Sequence, residues 1–349
     1  MDLNYQPSME VVRLIGELDE FKGAWRSFAS LSPERLSELK KIATIESIGS
    51  STRIEGVRLT DSEVEKFLQG ELKATSFKSR DGEEVAGYAD LMETIFENYE
   101  SIPITENHIK QLHAVLLKYS QKDKRHRGNY KTVSNQVIAF EDGVSVGVVF
   151  DTVSPFDTPY RMQELVAWTR DELERDELHP LLVVAVFVVR FLAIHPFQDG
   201  NGRLSRALTT LLLLRKGYYY VPYSSMEAVI EKNKDSYYLT LRKTQTSFDT
   251  ETIDWESWIK FFLQTMKKQK DLLSEKVRRE RKLQPDLPEL GIQVLELLRQ
   301  HGRLKMRDLV ELTGESKSTL RLRVNELEKF QHIKRNGQGR STWYTYKGQ

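Results

Sequence analysis

The sequence has no cysteine among its 349 residues. A disulfide framework, a thiol nucleophile and a thiolate metal site are therefore excluded. The same absence fits a reducing compartment, and we predict a cytoplasmic location. A large charge of one sign is also missing, because 52 Lys and Arg residues stand against 51 Asp and Glu residues. A net charge of +1 gives no indication of a polyanionic partner.

Long apolar segments are missing as well. The most apolar stretch, residues 181–194, is too short to span a bilayer and contains Arg190, so we predict no membrane association. Residues 1–5 lack the basic start and apolar core of a signal peptide. We find no internal repeat and no low-complexity tract. A chain of this length predicts two or three domains.

The chemistry of the sequence is concentrated in residues 195–206, which read HPFQDGNGRLSR. Gly200 and Gly202 allow the backbone to approach a ligand closely. Apolar residues then recur at helical spacing over residues 203–215. A helix that begins directly after glycine presents free N–H groups and a positive dipole end, which favour an anion.

The charged side chains of this run suit a site that handles phosphates. Arg203 and Arg206 are three residues apart, so both lean over one end of the predicted helix, and guanidinium groups pair well with phosphate oxygens. Asp199 offers the hard oxygen that Mg²⁺ prefers. His195 titrates near neutrality and can accept a proton from an attacking hydroxyl. The alternative is a helix–loop–helix corner that carries surface charges, but this alternative does not account for the whole set.

The run resembles the signature of the Fic family, His-x-Phe-x-(Asp/Glu)-Gly-Asn-Gly-Arg-x-x-Arg, and every specified position matches. The resemblance implies a transferase that moves AMP from ATP to a Ser, Thr or Tyr hydroxyl and releases pyrophosphate. It implies that His195 is the general base and that Asp199 is the Mg²⁺ ligand. It also implies that Gly200, Asn201 and Gly202 form the anion cradle. Arg203 and Arg206 are the implied ligands of the distal phosphates.

Residues 51–56, Ser-Thr-Arg-Ile-Glu-Gly, resemble the inhibitory motif of the same family, (Ser/Thr)-x-x-x-Glu-(Gly/Asn). The resemblance implies that Glu55 pairs with Arg206 and so removes a partner from the γ-phosphate of ATP. Ser51 and Glu55 are four residues apart, which places them on one helix face. The alternative for Glu55 is a solvated carboxylate in front of a glycine helix cap.

Further residues of the site are implied outside the two motifs. Residues 130–138 and 144–149 are rich in β-prone side chains, and Asp142–Gly143 between them predicts a hairpin turn. The resemblance implies that this hairpin is a flap, which docks a target protein along Val133–Ile138 as an additional strand. It also implies that Tyr237 and Tyr238 line the adenosine pocket, although packing between helices explains these two residues equally well.

The predicted fold is mainly α, a helical Fic-type domain with a small β-hairpin flap and a C-terminal winged helix-turn-helix domain. Helices are expected to begin at Pro33, after Thr60 and at Pro180, whereas residues 79–84 are polar and predict a loop. The predicted domains are an inhibitory helical region (1–90), the catalytic domain (91–266), a charged helix or linker (267–285) and the winged helix (286–349).

Several functions stay open at this point. The chain is predicted to be a self-inhibited AMP transferase that also modifies itself, or an enzyme that removes AMP with Glu55 orienting a water. The third alternative is a DNA-binding regulator with a minor self-modifying site. For the C-terminal domain, the alternative to DNA binding is that it forms a homodimer or docks the target. The predicted phosphate contacts of that domain are Lys317, Arg321, Arg323, Lys334, Arg335 and Arg340.

Overall fold

A computed structural model describes residues 3–25, 33–69, 80–141, 144–283, 288–337 and 339–347, and this part of the chain is mainly helical, as predicted. The helices of the first two thirds of the chain are α1 (Met9–Trp25), α2 (Pro33–Ile54), α3 (Asp61–Leu68), α4 (Arg80–Asn98), α5 (Glu106–Leu116), α6 (Thr158–Arg175), α7 (Pro180–Ile194), α8 (Asn201–Arg215), α9 (Met226–Lys232) and α10 (Lys234–Thr246). The helices of the last third are α11 (Trp255–Leu283), α12 (Glu289–His301), α13 (Met306–Thr313) and α14 (Lys317–Lys329).

The predicted helix starts are confirmed, because short-range caps fix them. Thr60 caps α3, its hydroxyl accepts from the Glu63 N–H, and the Glu63 carboxylate accepts from the Thr60 N–H. This reciprocal pair satisfies two of the donors that a helix start leaves open. Pro180 occupies the first turn of α7, where a missing N–H is harmless.

The loop predicted for residues 79–84 is wrong, because α4 already begins at Arg80. Asp81 and Glu83 lie in its first turn, where carboxylates stabilise the positive end of the helix dipole. Further along α4, a Cβ at Gly87 would lie 1.8 Å from the Leu116 carbonyl oxygen, so α4 packs closely on α5. Dipole and packing together outweigh the turn propensity of a single Asp-Gly pair.

Helix α7 is a core helix of the predicted catalytic domain, residues 91–266. Nearly all of its side chains are buried, and it packs against α6 and α8. A helix that is apolar on all sides belongs in a core rather than at a surface. This helix therefore holds its C-terminal end, and with it His195, in a fixed place.

The predicted hairpin is confirmed. Strands β1 (Gln136–Glu141) and β2 (Val144–Asp151) pair antiparallel, from Gln136 opposite Asp151 to Glu141 opposite Val144. Val133 precedes the first strand and is exposed. The predicted turn residues Asp142 and Gly143 lie outside the described residues.

The Cα positions divide the chain into two compact units, one of residues 1–25 and 40–272 and one of residues 26–39 and 273–349. In the second unit, α12, α13 and α14 pack with three short strands, β3 (Arg303–Leu304), β4 (Ile333–Asn336) and β5 (Trp343–Tyr346). The sheet order is β3–β5–β4, and both pairings are antiparallel. The three predicted helices and the hairpin are confirmed, β3 was not predicted, and the winged-helix assignment stays a prediction.

Across the described ranges, no helix combines the length and apolar character that a membrane crossing requires.

Candidate functional site

The corner between α7 and α8 has an unusual backbone. His195 follows the last turn of α7 in a left-handed conformation, with φ 51° and ψ 59°, and its N–H donates to the Phe191 carbonyl oxygen at 2.9 Å. A left-handed residue other than glycine costs about 1 kcal/mol or more and persists where its surroundings hold it. Gly200 caps α8 with φ 83°, where the absence of a Cβ removes this cost.

Asn201 closes the loop between the two helices with its side chain. Its Oδ1 accepts from the Phe197 N–H at 2.9 Å, and its Nδ2 donates to the Phe197 carbonyl oxygen at 2.7 Å. The residue is 1% exposed. Because this side chain is committed to the loop, the part of Asn201 that remains for an anion is its backbone N–H at the start of α8.

His113 supports the loop from below. The Asp199 carbonyl oxygen lies 3.0 Å from its Nε2 and only accepts, so Nε2 carries the proton, and Nδ1 accepts from the Gly128 N–H at 3.0 Å. The ring stacks on Phe197 with 3.8 Å between centroids. Burial lowers the pKa of His113 to about 4, so this imidazole is neutral and structural.

His195 is the opposite tautomer. Its Nδ1 lies 3.3 Å from the Leu192 carbonyl oxygen and therefore carries the proton, which leaves the lone pair on Nε2. Burial, reinforced by the charge of Lys131, lowers the pKa of His195 to about 4. At neutral pH this side chain can therefore accept a proton.

A cavity of about 140 Å³ lies beside His195. Its lining consists of Glu55, Leu192, His195, Gln198, Asp199, Gly200, Asn201, Gly202, Arg206, Tyr237, Tyr238, Leu241, Arg242 and Gln245. The structure thus brings together most of the residues that the sequence singled out. Of the residues predicted from the two motifs and the tyrosine pair, Ser51 and Arg203 do not line the cavity, and both are buried.

Arg203 lies between two carboxylates. Its Nη2 donates to Asp199 Oδ1 at 3.2 Å, and its Nη1 lies 3.1 Å from Glu84 Oε2. With 2% of its side chain exposed, Arg203 orients Asp199 in this conformation. Its role as a ligand of the distal phosphates stays a prediction.

Arg206 is paired with the C-terminal end of α2 and with the turn that follows it. Its Nη2 donates to Glu55 Oε1 at 2.8 Å and to the Ser51 carbonyl oxygen at 2.9 Å, and its Nε donates to the Ser51 hydroxyl at 2.9 Å. Burial raises the pKa of Glu55, but the Arg206 charge and hydrogen bond outweigh it and hold the pKa below its ordinary value. Glu55 is therefore an ionised carboxylate inside the site.

Glu55 is paired with Arg206 and is not the free, solvated carboxylate of the alternative interpretation, but the glycine helix cap of that alternative is present. Gly56 has φ 101°, its N–H donates to the Arg53 carbonyl oxygen, and the Val57 N–H donates to the Thr52 carbonyl oxygen. These two bonds are the Schellman pattern that ends a helix. The cap turns the chain so that Glu55 faces the start of α8, where a Cβ at Gly202 would lie 2.1 Å from Glu55 Oε1.

Arg53 ties the same turn to two other helices. Its Nε and Nη2 donate to the two carboxylate oxygens of Glu231 at 2.7 and 3.0 Å, and its Nη1 donates to Asp61 Oδ1 at 2.8 Å. Gly49 makes room for this pair, because a Cβ there would lie 2.4 Å from Asp61 Oδ1. The turn that carries Glu55 is thus anchored to α9 and α3.

The residues fit a magnesium ion that is held mainly by its nucleotide. Asp199 lines the cavity and its Oδ1 also accepts from the Gly200 N–H at 2.6 Å. Among the described residues, no group of three or more His, Asp or Glu side chains could hold a metal. One carboxylate plus phosphate oxygens and water is a usual environment of Mg²⁺.

The sequence prediction did not include Leu192, Gln198, Leu241, Arg242 and Gln245 among the lining residues. A signal was present for three of them, Leu241, Arg242 and Gln245. They follow Tyr238 on α10 at the spacing of one helix face. Gln198 belongs to the motif loop and Leu192 to the buried helix α7. In these places the residue pattern does not distinguish side chains that line the cavity from side chains that pack in the core.

The chain is similar to known proteins over part of its length. The model of the Fic/DOC family matches residues 103–213. Relatives named "Protein adenylyltransferase Fic" from Drosophila mojavensis and Drosophila virilis are each 29% identical over 221 residues, which is 62% of this chain and 41% and 43% of those proteins. The chain thus spans about two fifths of the length of the curated relatives.

Solved structures share the fold. A Fic family protein from Desulfovibrio desulfuricans has a TM-score of 0.65 at 23% identity, and the match covers 100% of this chain and 99% of that one. A Fic domain containing signaling protein from Bacteroides thetaiotaomicron has a TM-score of 0.55 at 25% identity, with 77% and 94% covered.

Proposed function

We propose that this chain, as a member of the Fic/DOC family, is a protein adenylyltransferase that moves AMP from ATP to a Ser, Thr or Tyr hydroxyl of a target protein and of itself. The observation that carries the proposal is the combination inside one cavity of a proton acceptor, His195, with the N-terminal end of α8 and with Arg206. The name that the relatives bear supports the same activity.

The reaction needs one proton acceptor and one polyphosphate site. The target hydroxyl oxygen attacks the α-phosphorus of ATP, the bond from that phosphorus to the bridging oxygen breaks, and pyrophosphate leaves. Nε2 of His195 takes the hydroxyl proton. The negative phosphates would raise the pKa of this imidazole above the value of about 4 that it has in the structure, and a stronger base results.

The phosphates are assigned to the start of α8. Gly200, Asn201 and Gly202 line the cavity at this helix start, where N–H groups lack intrahelical partners and the helix dipole favours negative charge. Tyr237 and Tyr238 line the same cavity and would contact the adenosine. Asp199 would hold Mg²⁺ together with phosphate oxygens, and the ion would offset their charge when bound.

Glu55 is proposed to restrain the enzyme. Its carboxylate pairs with Arg206 and lies against Gly202, so it competes with the distal phosphate for both. ATP then binds in a pose that is unsuited to in-line attack. A difference of a few kcal/mol between the two states is enough to keep most molecules inactive.

The target is proposed to dock along Val133–Ile138. A strand edge recognises a partner chain through backbone hydrogen bonds, which are largely independent of side-chain identity. Docking of this kind selects a target by its shape and brings one hydroxyl over His195.

Labelled ATP with Mg²⁺ tests the proposal. We expect the native chain to label itself weakly and Glu55→Gly to label itself at least about tenfold more strongly, because Arg206 is freed for the phosphate. Glu315→Gly, which removes an exposed carboxylate of the second unit, is the matched control and should behave like the native chain. Mass spectrometry would identify the modified hydroxyls. Equal labelling of all three proteins would refute the restraint, and absence of label from all of them would refute the transfer.

Removal of AMP is a second candidate, since Glu55 and His195 line the same cavity and a carboxylate there could orient a water toward a bound phosphate ester. A protein modified beforehand tests this alternative. Release of AMP that is lost in Glu55→Gly would favour it over transfer.

The second unit offers a separate candidate function. Lys317 and Arg321 of α14 and Lys334 and Arg335 of β4 are exposed, whereas Arg323 Nη1 donates to Glu326 Oε2 at 2.7 Å. If the unit is a winged helix, these four cations would contact DNA phosphates. A gel mobility shift that weakens steeply with salt would support DNA binding, and its absence together with a stable homodimer would favour the dimer. The cytoplasmic location stays a prediction.

A further inference from the structure

Lys131 is a buried cation close to the site, and neither motif contains it. Its residue exposure is 3%. Its ammonium donates to Asn135 Oδ1 at 2.9 Å, to the Thr152 hydroxyl at 2.7 Å and to the Ile194 carbonyl oxygen at 3.0 Å. All three acceptors are uncharged. A buried ammonium without an anionic partner is costly, and burial lowers the pKa of Lys131 to about 8.

The partners of Lys131 on one side lie at the base of the hairpin. Asn135 directly precedes β1 and Thr152 directly follows β2. The Thr152 hydroxyl lies 2.7 Å from both the carbonyl oxygen and Oδ1 of Asn135. These three side chains join the two ends of the hairpin into one hydrogen-bonded cluster.

The partners on the other side belong to the loop that carries His195. The ammonium of Lys131 binds the Ile194 carbonyl oxygen, its backbone N–H donates to the Pro196 carbonyl oxygen at 2.8 Å, and Asn135 Nδ2 donates to the Phe197 carbonyl oxygen at 2.9 Å. The carbonyl groups on both sides of His195 are thus held by residues of the hairpin base.

This attachment meets a need of the loop. His195 is left-handed, a conformation that a histidine keeps only when its neighbours are held in place. The carbonyl of Ile194 would otherwise be an open acceptor at the end of α7. Hydrogen bonds from the hairpin base therefore do two things, since they satisfy the helix end and hold the turn.

We propose that Lys131, Asn135 and Thr152 form a positioning cluster, which holds His195 in its left-handed conformation and links the location of Nε2 to the base of the hairpin. The inference rests on the proposed transferase function and deepens it. A target chain on the hairpin is then registered against His195 through side-chain hydrogen bonds. None of the three residues lines the cavity, and Lys131 and Thr152 also lie outside the proposed docking segment, so the cluster acts through His195.

Kinetics in the Glu55→Gly background test the cluster. Thr152→Val keeps the side-chain shape and removes the hydroxyl. We expect kcat for transfer to fall about tenfold with an unchanged KM for ATP. A small displacement of the His195 ring affects the chemical step and not nucleotide binding. Lys131→Met should do the same, and Lys131→Arg, which restores donors, should recover part of kcat. Thr132→Val, an exposed threonine of the same segment, is the control and should match the parent.

A measurement without turnover separates this proposal from the transferase function. In the full chain, nitrogen-detected NMR of the His195 ring gives its pKa. Lys131→Met should raise that pKa, because the positive charge of Lys131 lowers it, whereas the surface variant Lys124→Met should leave it unchanged. If Glu55→Gly shows no transfer at all, the transferase function fails and the NMR result alone decides the cluster. A native pKa in Lys131→Met, or a native kcat in Thr152→Val, overturns the cluster.

Discussion

The two compact units of this chain differ in what they bury. The first unit buries charged side chains around its cavity, among them Glu84, Lys131, Arg203 and Arg206. Within the described residues of the second unit, the buried cluster is apolar, and it consists of Val294, Leu298, Leu304, Leu309, Leu320, Val324, Leu327, Ile333 and Tyr344. Its charged side chains lie mainly toward solvent.

This difference indicates where chemistry takes place. Removing an ion from water costs several kcal/mol, and pairing repays this only when the geometry is good. Charges are therefore buried where another requirement outweighs the cost. In the first unit the proposed phosphate site and its proposed restraint would be that requirement, whereas the buried cluster of the second unit is apolar.

The largest effect is expected at His195, the proposed general base. His195→Ala, made in the Glu55→Gly background, should reduce transfer by about 10²-fold to 10⁴-fold, because it removes the proton acceptor. His301→Ala, an exposed histidine of the second unit, is the control. Transfer rates from labelled ATP measure both variants. Retention of full activity in His195→Ala would exclude the base role.

A core substitution in the second unit should affect stability and not transfer. Leu320 is fully buried in the apolar cluster, so Leu320→Ala should destabilise that unit by about 2–5 kcal/mol through lost burial and a residual cavity. Calorimetry and transfer rates below the unfolding temperature measure the two properties. A parallel loss of transfer would show that the units do not function separately.

The stability of the first unit should depend on pH through its two neutral histidines. His113 and His195 have pKa values of about 4 in the folded chain against an ordinary value of 6.5, so the unfolded chain binds more protons between pH 4 and 6.5. Stability contributed by these groups is complete above pH 6.5 and is lost as the pH falls toward 4, by on the order of 2 kcal/mol for the fully buried His113.

Urea unfolding at several pH values measures this dependence. His113→Gln should flatten the slope, since one depressed pKa disappears. The same slope in His113→Gln as in the native chain would contradict the assignment.

A smaller effect is expected at the anchor of the restraining turn. Arg53→Ala removes the bonds to Glu231 and Asp61 while leaving the cavity residues intact, so Glu55 should release Arg206 more often. We expect self-labelling to rise about fivefold to tenfold. This rise is at the lower end of typical coupling free energies between sites, because Arg53 is partly solvated. Arg58→Ala, an exposed arginine after the same turn, should not change labelling. No increase in Arg53→Ala would mean that the cap at Gly56 holds Glu55 by itself.

The sequence by itself determined the features that depend on neighbours along the chain. Thr60 and Glu63 cap α3, Pro180 starts α7, and the run from His195 to Arg206 contains half of the residues that line the cavity because twelve consecutive residues form one corner. Caps, periodicity and motif residues act over a few positions, so pattern is enough to predict them.

Apart from the Glu55–Arg206 pair, which the family resemblance implied, the tertiary structure alone decided the contacts between residues that are distant in the sequence. It placed Glu84 beside Arg203, His113 beneath Asp199 and Lys131 behind the loop of His195. Each of these pairings depends on how helices pack around α7, which is set by the burial of many side chains at once. No local pattern of residues encodes that arrangement, and for this reason the sequence predicted which groups react but not which groups hold them in position.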